Sequence, residues 1–224
     1  GTSKGGYFHA NDLPSDRALR DKIILDIYGA PDITEIDGLG GANVLTSKTA
    51  IISRSSRADA DIDYTFGQVM INEPLVDYRI NCGNISAGVG PFAIDEGLVP
   101  AVEPVTKVRI FNTNTQKVIT AEVPVKNGKA VVAGDYQIAG VPGTGAKITL
   151  DFAQTGGTLG KGLLPTGLAK EQLPVEGLGE FTVSIVDAAN PCVFVKASDM
   201  GLTGTEKFED VLAIDDLWAK AEKI

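Results

Sequence analysis

Apolar residues recur at two different spacings along the chain, and these spacings predict its elements. The stretch SDRALRDKIILDIYG has apolar positions at helical spacing, which predicts an amphipathic helix with Ser15 as its N-cap and Gly29 as the residue that ends it. The stretch DADIDYTFGQVMI instead alternates apolar and polar residues, with a shift at Gly67, as expected for a half-buried strand. Helices and strands are therefore both expected to contribute to the core.

A third stretch, NCGNISAGVGPFAIDEGL, is apolar on nearly all sides when it is drawn as a helix. A helix of this kind is buried on most of its faces. The following stretch, TKVRIFNTNTQKVITAEVPVKNGKAVVAGDYQI, contains three or four strand candidates separated by turn signals such as Asn127-Gly128. We therefore predict an α+β fold in which an antiparallel, barrel-like sheet wraps around a central helix near residues 83–97.

The remaining sequence predicts a second, smaller unit. We place the first domain at residues 1–145 and the beginning of a second domain at residues 146–224. The second segment contains a strand candidate, GEFTVSIVDAANPCVFVKASDMG, and a C-terminal amphipathic helix, KFEDVLAIDDLWAKAEKI, with Leu212, Leu217 and Trp218 as its anchors. It has no central apolar helix of its own, so we expect this domain to be incomplete.

Composition narrows the classes of function. The chain has 20 basic and 29 acidic residues, and its net charge of −9 argues against nucleic acid and anionic membrane surfaces as partners. No apolar run approaches the roughly 18 residues that crossing a bilayer requires. Two cysteines are too few for a disulfide scaffold and too far apart for a metal knuckle, so we expect reduced thiols and a cytoplasmic location. The chain has a single histidine, which argues against a Ser-His-Asp triad and against a multi-histidine metal site. We predict no metal site.

The candidate site lies at the beginning of the predicted central helix. Cys82, Gly83 and Asn84 occupy the first turn, where unpaired backbone N–H groups and the helix dipole favour an anion. The same field favours the thiolate form of Cys82, which makes this residue a candidate proton donor or acceptor. Gly83 permits a ligand to approach the backbone closely, while Asn81 and Asn84 offer amide donors. The alternative on residue types alone is a buried cysteine in a helix cap with no chemical role.

Two other segments contain residues that could belong to the same site. GTSKGG provides the hydroxyls of Thr2 and Ser3 and the ammonium of Lys4, and GLGGANVLTSK provides Ser47 and Lys48. Burial beside the apolar run TAII would favour the neutral form of Lys48 and make it usable as a base. The alternatives are a snorkelling strand lysine at position 48 and a solvated lysine at position 4. Because the glycine-rich loop lacks a Gly-Lys-Ser/Thr ending, it gives only weak support for a nucleotide phosphate site.

Other polar residues are assigned no role in the chemistry. We expect His9 at a surface or edge position, and we expect Cys192, which begins an apolar strand candidate, to be structural. Asp59, Asp61 and Asp63 alternate along a strand and are interpreted as a solvated face.

Six motifs follow one another in the order GTSKG, IDGLGGANVLTSK, DADIDYTFGQV, NCGNISAGVGPFAIDEGLVP, GVPGTGAKI and GLLPTG. With these motifs the chain closely resembles the family of 2-methylaconitate cis-trans isomerase and 3-methylitaconate isomerase, which also includes 4-oxalomesaconate tautomerase. The resemblance implies the diaminopimelate-epimerase-like fold, in which two similar domains each wrap a sheet around a central helix and the site lies in the cleft between them. Family members are considerably longer, so the resemblance also implies that this sequence is a fragment.

The resemblance further implies a cofactor-independent isomerase that shifts an allylic proton in a small unsaturated di- or tricarboxylate. Lys48 and Cys82 would flank the substrate, and Ser3 and the NCGN turn would hold its carboxylates. Two other functions are kept open. One is an amino-acid epimerase or racemase, which needs a second cysteine facing Cys82. The other is a carboxylate-binding domain without turnover. A homo-oligomer is also left open.

Overall fold

The computed structural model describes residues 1–224, which form two compact units, Gly1–Thr155 and Gly156–Ile224. The first unit contains two α-helices, α1 (Arg17–Tyr28) and α2 (Gly83–Asp95). Its strands are β1 (Gly5–His9), β2 (Lys48–Arg54), β3 (Ile62–Val69), β4 (Val76–Asp77), β5 (Val105–Asn112), β6 (Lys117–Lys126), β7 (Lys129–Ala130) and β8 (Thr149–Asp151).

These eight strands form one sheet of mixed direction. The strands run in the order β1-β2-β3-β5-β6-β7, with β4 paired to β3 and β8 paired to β6. The prediction of a purely antiparallel sheet is wrong at two places, because β1 pairs with β2 and β3 pairs with β5 in parallel. Parallel neighbours need a long crossover connection, and the segments that contain α1 and α2 provide these two crossovers.

The sheet encloses α2, as the all-round apolar pattern predicted. Ile85, Val89 and Ala93 of the helix are buried in one cluster with the inward-facing residues of β2, β3, β5 and β6. Glycine makes this close packing possible. A Cβ atom added at Gly90 would lie 2.8 Å from Val123 Cγ2, and one added at Gly88 would lie 2.2 Å from the Tyr7 hydroxyl oxygen.

Helix α1 packs on the other face of the sheet, where Ile24, Leu25 and Tyr28 join a second buried cluster. Its end is as predicted, because Gly29 adopts the left-handed conformation with φ of 78°. The predicted N-cap is wrong. Asp16 caps the helix, since its carboxylate accepts a hydrogen bond from the Leu19 amide at 2.9 Å. Ser15 lies one residue too early to reach that amide and is exposed.

The second unit contains a three-stranded antiparallel sheet in the order β11-β10-β9. Its strands are β9 (Glu171–Val175), β10 (Gly179–Asp187) and β11 (Pro191–Val195). The strand candidate GEFTVSIVDAANPCVFVKASDMG corresponds to β10 and β11, which form a hairpin. The assignment of residues 146–224 to the beginning of a second domain of the same kind stays a prediction.

The predicted C-terminal helix is two short helices, α3 (Phe208–Leu212) and α4 (Leu217–Ala221). Of the three predicted anchors, only Leu217 is buried, whereas Leu212 and Trp218 are 51% and 54% exposed. The prediction of one continuous amphipathic helix is therefore wrong. The interruption includes Asp215 and Asp216, and aspartate is a poor residue for a helix interior. None of the helices in the chain combines the length and the apolar character needed to traverse a bilayer.

The N-cap of α1 gives a direct test of the corrected helix start. We expect Asp16→Ala to lower the free energy of unfolding by about 1 kcal/mol, because the Leu19 amide loses its acceptor. Ser15→Ala is the matched control and should leave stability unchanged. Urea denaturation followed by circular dichroism measures both variants, and equal losses in the two would contradict the assignment of the cap.

Candidate functional site

Cys82 occupies the N-cap position of α2, at the boundary between the core and solvent. Its side chain is partly buried and packs against the cluster that surrounds the helix. Its backbone oxygen accepts hydrogen bonds from the amide of Ser86 at 3.1 Å and from the Ser86 hydroxyl at 3.0 Å. The thiol itself makes no capping hydrogen bond. The sulfur therefore lies at the positive end of a buried helix without being used to cap it.

The neighbours of Cys82 in the NCGN turn have three different environments. Gly83 borders open space, since a Cβ atom added there would meet only Phe152, at 3.6 Å. Asn84 is exposed, and its side-chain nitrogen donates to the Thr2 hydroxyl at 3.0 Å. Asn81 is buried, and its side-chain oxygen accepts a hydrogen bond from Asn112 at 2.8 Å. Asn81 thus ties the turn to the end of β5, while Gly83 leaves the first turn of the helix accessible.

The N-terminal segment passes between the start of β2 and the first turn of α2. The Lys4 amide donates to the Leu45 carbonyl at 2.9 Å. A Cβ atom added at Gly5 would lie 2.2 Å from the Lys48 carbonyl oxygen and 3.2 Å from Ile85 Cδ1. Three segments that the sequence singled out therefore lie side by side: GTSKG, the end of the glycine-rich loop, and the start of the central helix.

The polar residues of this N-terminal segment differ in their exposure. The Ser3 hydroxyl oxygen is shielded from solvent and has no hydrogen-bond partner in the chain. Thr2 and Lys4 are exposed, and Thr2 is held by Asn84. The exposure of Lys4 agrees with the solvated alternative considered for it from the sequence.

Lys48 is the first residue of β2 and is only 7% exposed. Its Nζ atom donates to Gln68 Oε1 at 2.7 Å and lies 5.4 Å from the centroid of the Phe66 ring. A snorkelling lysine keeps its ammonium in water, so the buried amine of Lys48 does not fit that alternative. Its hydrogen-bond partner is Gln68 rather than Cys82. Phe66, whose ring lies beside the Lys48 amine, belongs to the buried cluster against which Cys82 packs.

Ser47 is completely buried and is bound to a residue that the sequence analysis missed. Its hydroxyl donates to Glu35 Oε2 and accepts a hydrogen bond from the Gly41 amide at 3.3 Å. Glu35 is 1% exposed, and its Oε2 also accepts from the Ala42 amide at 2.7 Å. The hydroxyl of Ser47 is therefore engaged in holding the glycine-rich loop. Its predicted part in substrate binding stays a prediction.

Two buried tyrosines, Tyr28 and Tyr64, and the partly buried Tyr7 lie near the start of β2 and α2, and the sequence analysis missed these as well. The Tyr28 hydroxyl accepts from the Gly6 amide at 2.6 Å and donates to the Lys48 carbonyl, so it bridges β1 and β2. Burial raises its pKa to about 12. Burial, with a smaller effect from Cys82, also raises the pKa of Tyr7 and Tyr64 above the ordinary range. These phenols are neutral at neutral pH, so they can donate hydrogen bonds but do not act as bases.

The residues that were assigned no role in the chemistry lie elsewhere. His9 ends β1, and its Nε2 lies 3.2 Å from Glu96 Oε2. Asp61 forms an ion pair with Arg109, which lowers the pKa of the carboxyl group. Cys192 is exposed on β11, opposite Val186 in the hairpin of the second unit.

Comparison with known proteins identifies relatives over the whole chain. The family model described as PrpF protein matches residues 1–224. The chain is 56% identical to a 3-methylitaconate isomerase of Eubacterium barkeri and 47% identical to a 4-oxalomesaconate tautomerase of Pseudomonas putida. It is 40% identical to a 2-methyl-aconitate isomerase of Shewanella oneidensis. All of this chain is covered in each case, together with 59%, 61% and 60% of the respective relatives.

A crystal structure of methylitaconate-delta-isomerase matches the fold with a TM-score of 0.79 at 56% sequence identity, covering 100% of this chain and 57% of that one. The predicted α+β class, with a curled sheet around a central helix, is confirmed. The chain spans about six tenths of the length of the curated relatives it matches. Because the family model matches every residue from 1 to 224, the chain belongs to the PrpF protein family.

Proposed function

We propose that the protein is an isomerase that shifts an allylic proton in a small unsaturated di- or tricarboxylate. The observation that carries this proposal is that β2, which begins at the buried Lys48, and α2, which has Cys82 at its N-cap, both lie against Gly5 of the N-terminal segment. The names of the relatives support it, since they are isomerases or tautomerases of methylitaconate, methylaconitate and oxalomesaconate. We include all three acids as candidate substrates.

Lys48 is proposed as the base. Removal of a proton allylic to a carboxylate leaves a dienolate-like anion, and a proton is then delivered to the other end of the three-carbon system. This requires an amine that is neutral when it takes the proton and an ammonium that persists until the intermediate has been protonated. The Nζ of Lys48 is buried, and its hydrogen-bond partner is a neutral amide instead of a carboxylate.

Cys82 is proposed as the acid–base group on the opposite side of the substrate. A thiol can give up a proton and take one back, and the N-cap position puts this sulfur in the positive field at the beginning of α2. The same field stabilises negative charge that develops on the substrate during the reaction. In a chain with a net charge of −9, this local positive potential is needed if an anionic substrate is to bind.

The carboxylates of the substrate are proposed to bind at the first turn of α2 and the adjoining N-terminal segment. Gly83 leaves room for an anion at the backbone amides, and the Ser3 hydroxyl has no other partner. Thr2, Lys4, Ser47, Asn81 and Asn84 remain proposed substrate-binding residues, in a supporting role. Of these, Ser47 and Asn81 are buried and contribute by fixing the segments on which they lie.

We also keep two proposals about the organisation of the protein. Residues 146–224 are proposed to begin a second domain, which would complete the site as the resemblance implies. A cytoplasmic location is proposed because both cysteines are free thiols.

Lys48→Ala tests the base. We expect this change in the full-length protein to lower kcat roughly 100- to 10,000-fold, because no other group replaces the missing amine. Solvent-deuterium incorporation at the allylic carbon of 3-methylitaconate, 2-methylaconitate or oxalomesaconate, followed by NMR, should be lost to the same extent. Lys107→Ala, which removes a surface lysine paired with Glu122, is the matched control and should react normally. Normal deuterium exchange in Lys48→Ala would exclude Lys48 as the base.

Cys82→Ser tests the thiol. Serine is a favourable N-cap residue, so the fold should keep its stability, while kcat should fall by about 100-fold because a hydroxyl is a far weaker acid at neutral pH. Steady-state kinetics and a thermal melt measure the two effects separately. A kcat within a factor of about two of the unmodified protein would show that Cys82 only lines the pocket.

Gly83→Ala tests the proposed anion site. An added methyl group meets no atom closer than 3.6 Å in the chain, and alanine favours a helix over glycine by up to about 1 kcal/mol, so stability should be equal or higher. The KM for the acid should nevertheless rise by about tenfold or more, because the methyl group occupies the space of a carboxylate. Gly145→Ala, at another position with room for a methyl group, serves as the control. An unchanged KM in Gly83→Ala would place the carboxylate elsewhere.

A further inference from the structure

Gln68 lies directly opposite Lys48 in the β2–β3 pair, and its side-chain amide is held in one orientation. The amide nitrogen donates to the Ser47 carbonyl at 2.9 Å and to the Val69 carbonyl at 3.3 Å. A carbonyl accepts hydrogen bonds but cannot donate them, so the nitrogen end must face these two oxygens. The oxygen end is thereby directed at Lys48, whose Nζ donates to it at 2.7 Å.

The partner of this buried amine is thus neutral. Lys48 and Gln68 are each 7% exposed, and none of the ion pairs of the chain includes Lys48. A nearby carboxylate would stabilise the ammonium through its full charge and oppose loss of the proton. An amide oxygen supplies only a dipole, which orients the amine and still permits the proton to leave.

Other titratable groups lie on the elements that pack around this pair, and they include Tyr7 of β1, Tyr28 of α1, Glu35 of the loop after α1, Tyr64 of β3 and Cys82. Asp77 of β4 lies opposite Gln68 on the other side from Lys48, and its carboxylate is paired with Arg79. The three phenols are kept neutral by burial, which raises their pKa, that of Tyr28 to about 12. Tyr28 contacts the backbone oxygen of Lys48, and the carboxylate of Glu35 is bound to Ser47. Gln68 is therefore the side chain that hydrogen-bonds the amine itself.

We propose that Gln68 is a positioning residue for the proton transfer, which holds the Lys48 amine through a neutral acceptor so that the amine can both take up and release the proton. This inference rests on the proposed function, in which Lys48 is the base. The proposal requires the side chain at position 68 to be uncharged and also to place a hydrogen-bond acceptor next to the Lys48 amine. A side chain of similar size with a different charge or without an acceptor should change the pH at which the enzyme works.

Two substitutions of similar size should move the pH profile in opposite directions. Gln68→Glu places a carboxylate beside Nζ, so the acidic limb of kcat/KM, where Lys48 loses its proton, should move to higher pH by roughly one to three pH units. Gln68→Met leaves a buried ammonium without a good acceptor, so the same limb should move to lower pH. Gln172→Glu, the same chemical change at an exposed residue of β9, is the matched control and should leave the limb in place.

A purely structural role for Gln68 predicts a different result. Both variants would then lose activity at every pH, and the position of the limb would not change. Unchanged limbs, or shifts in the same direction, would overturn the proposal. If Gln68→Met fails to fold in a thermal melt, the comparison of Gln68→Glu with the unmodified protein decides alone, and an upward shift is then required.

A second readout separates this proposal from the proposed function. The side-chain 13Cε signal of Lys48, assigned by its absence in Lys48→Ala, can be titrated by NMR in 13C-lysine-labelled full-length protein without any substrate. The titration midpoint should be highest in Gln68→Glu, intermediate in the unmodified protein and lowest in Gln68→Met. If the protein isomerises none of the three acids, the proposed function fails, yet this order of midpoints still supports the role of Gln68. Identical midpoints reject the role of Gln68 even in an active isomerase.

Discussion

The close packing of α2 inside the sheet is the constraint on which the rest of the first unit depends. Gly88 and Gly90 bring the helix so near to Tyr7 and Val123 that a single added methyl group would collide at either position. A helix packed in this way cannot shift along the sheet without opening the core. The N-cap position of Cys82 is therefore set by the buried body of the helix, which gives the thiol a more exact location than a surface loop would.

The parts of the fold that could be predicted are those in which a local pattern has a single structural solution. A helix that is apolar on all sides must be enclosed, and α2 is. The alternation along Ile62, Tyr64 and Phe66 gives three fully buried side chains on β3. Asn127-Gly128 forms its turn with φ of 55° and 73°, a conformation that these two residue types adopt readily. Two candidate site residues, Cys82 and Lys48, could be selected from the sequence for the same reason, because each lies at the beginning of a strongly patterned element.

The parts that could not be predicted depend on contacts that leave no local pattern. Strand β1 is short and pairs in parallel with a strand that begins about 40 residues later, so nothing in GGYFH indicates its partner. Glu35 binds Ser47 from within an irregular loop, and no spacing rule connects the two residues. The cap of α1 was misassigned because Ser15 and Asp16 are adjacent and both are good capping residues. Which of them caps the helix depends on whether it begins at residue 16 or at residue 17, and the apolar pattern does not fix its start to one residue.

The loop between α1 and β2, residues 30–47, contains Glu35 and the glycine-rich stretch, and its two sides differ in how far substitutions are constrained. Its inner side is tied to Ser47 by a buried carboxylate, whereas its outer side carries Ile33, Ile36 and Leu39, which are 67%, 85% and 63% exposed. Residues on the outer side can be exchanged, in evolution or in directed libraries, without disturbing the strand that begins at Lys48. The loop can therefore diversify while the buried Lys48 next to it keeps its surroundings, and new binding preferences can arise on an unaltered scaffold.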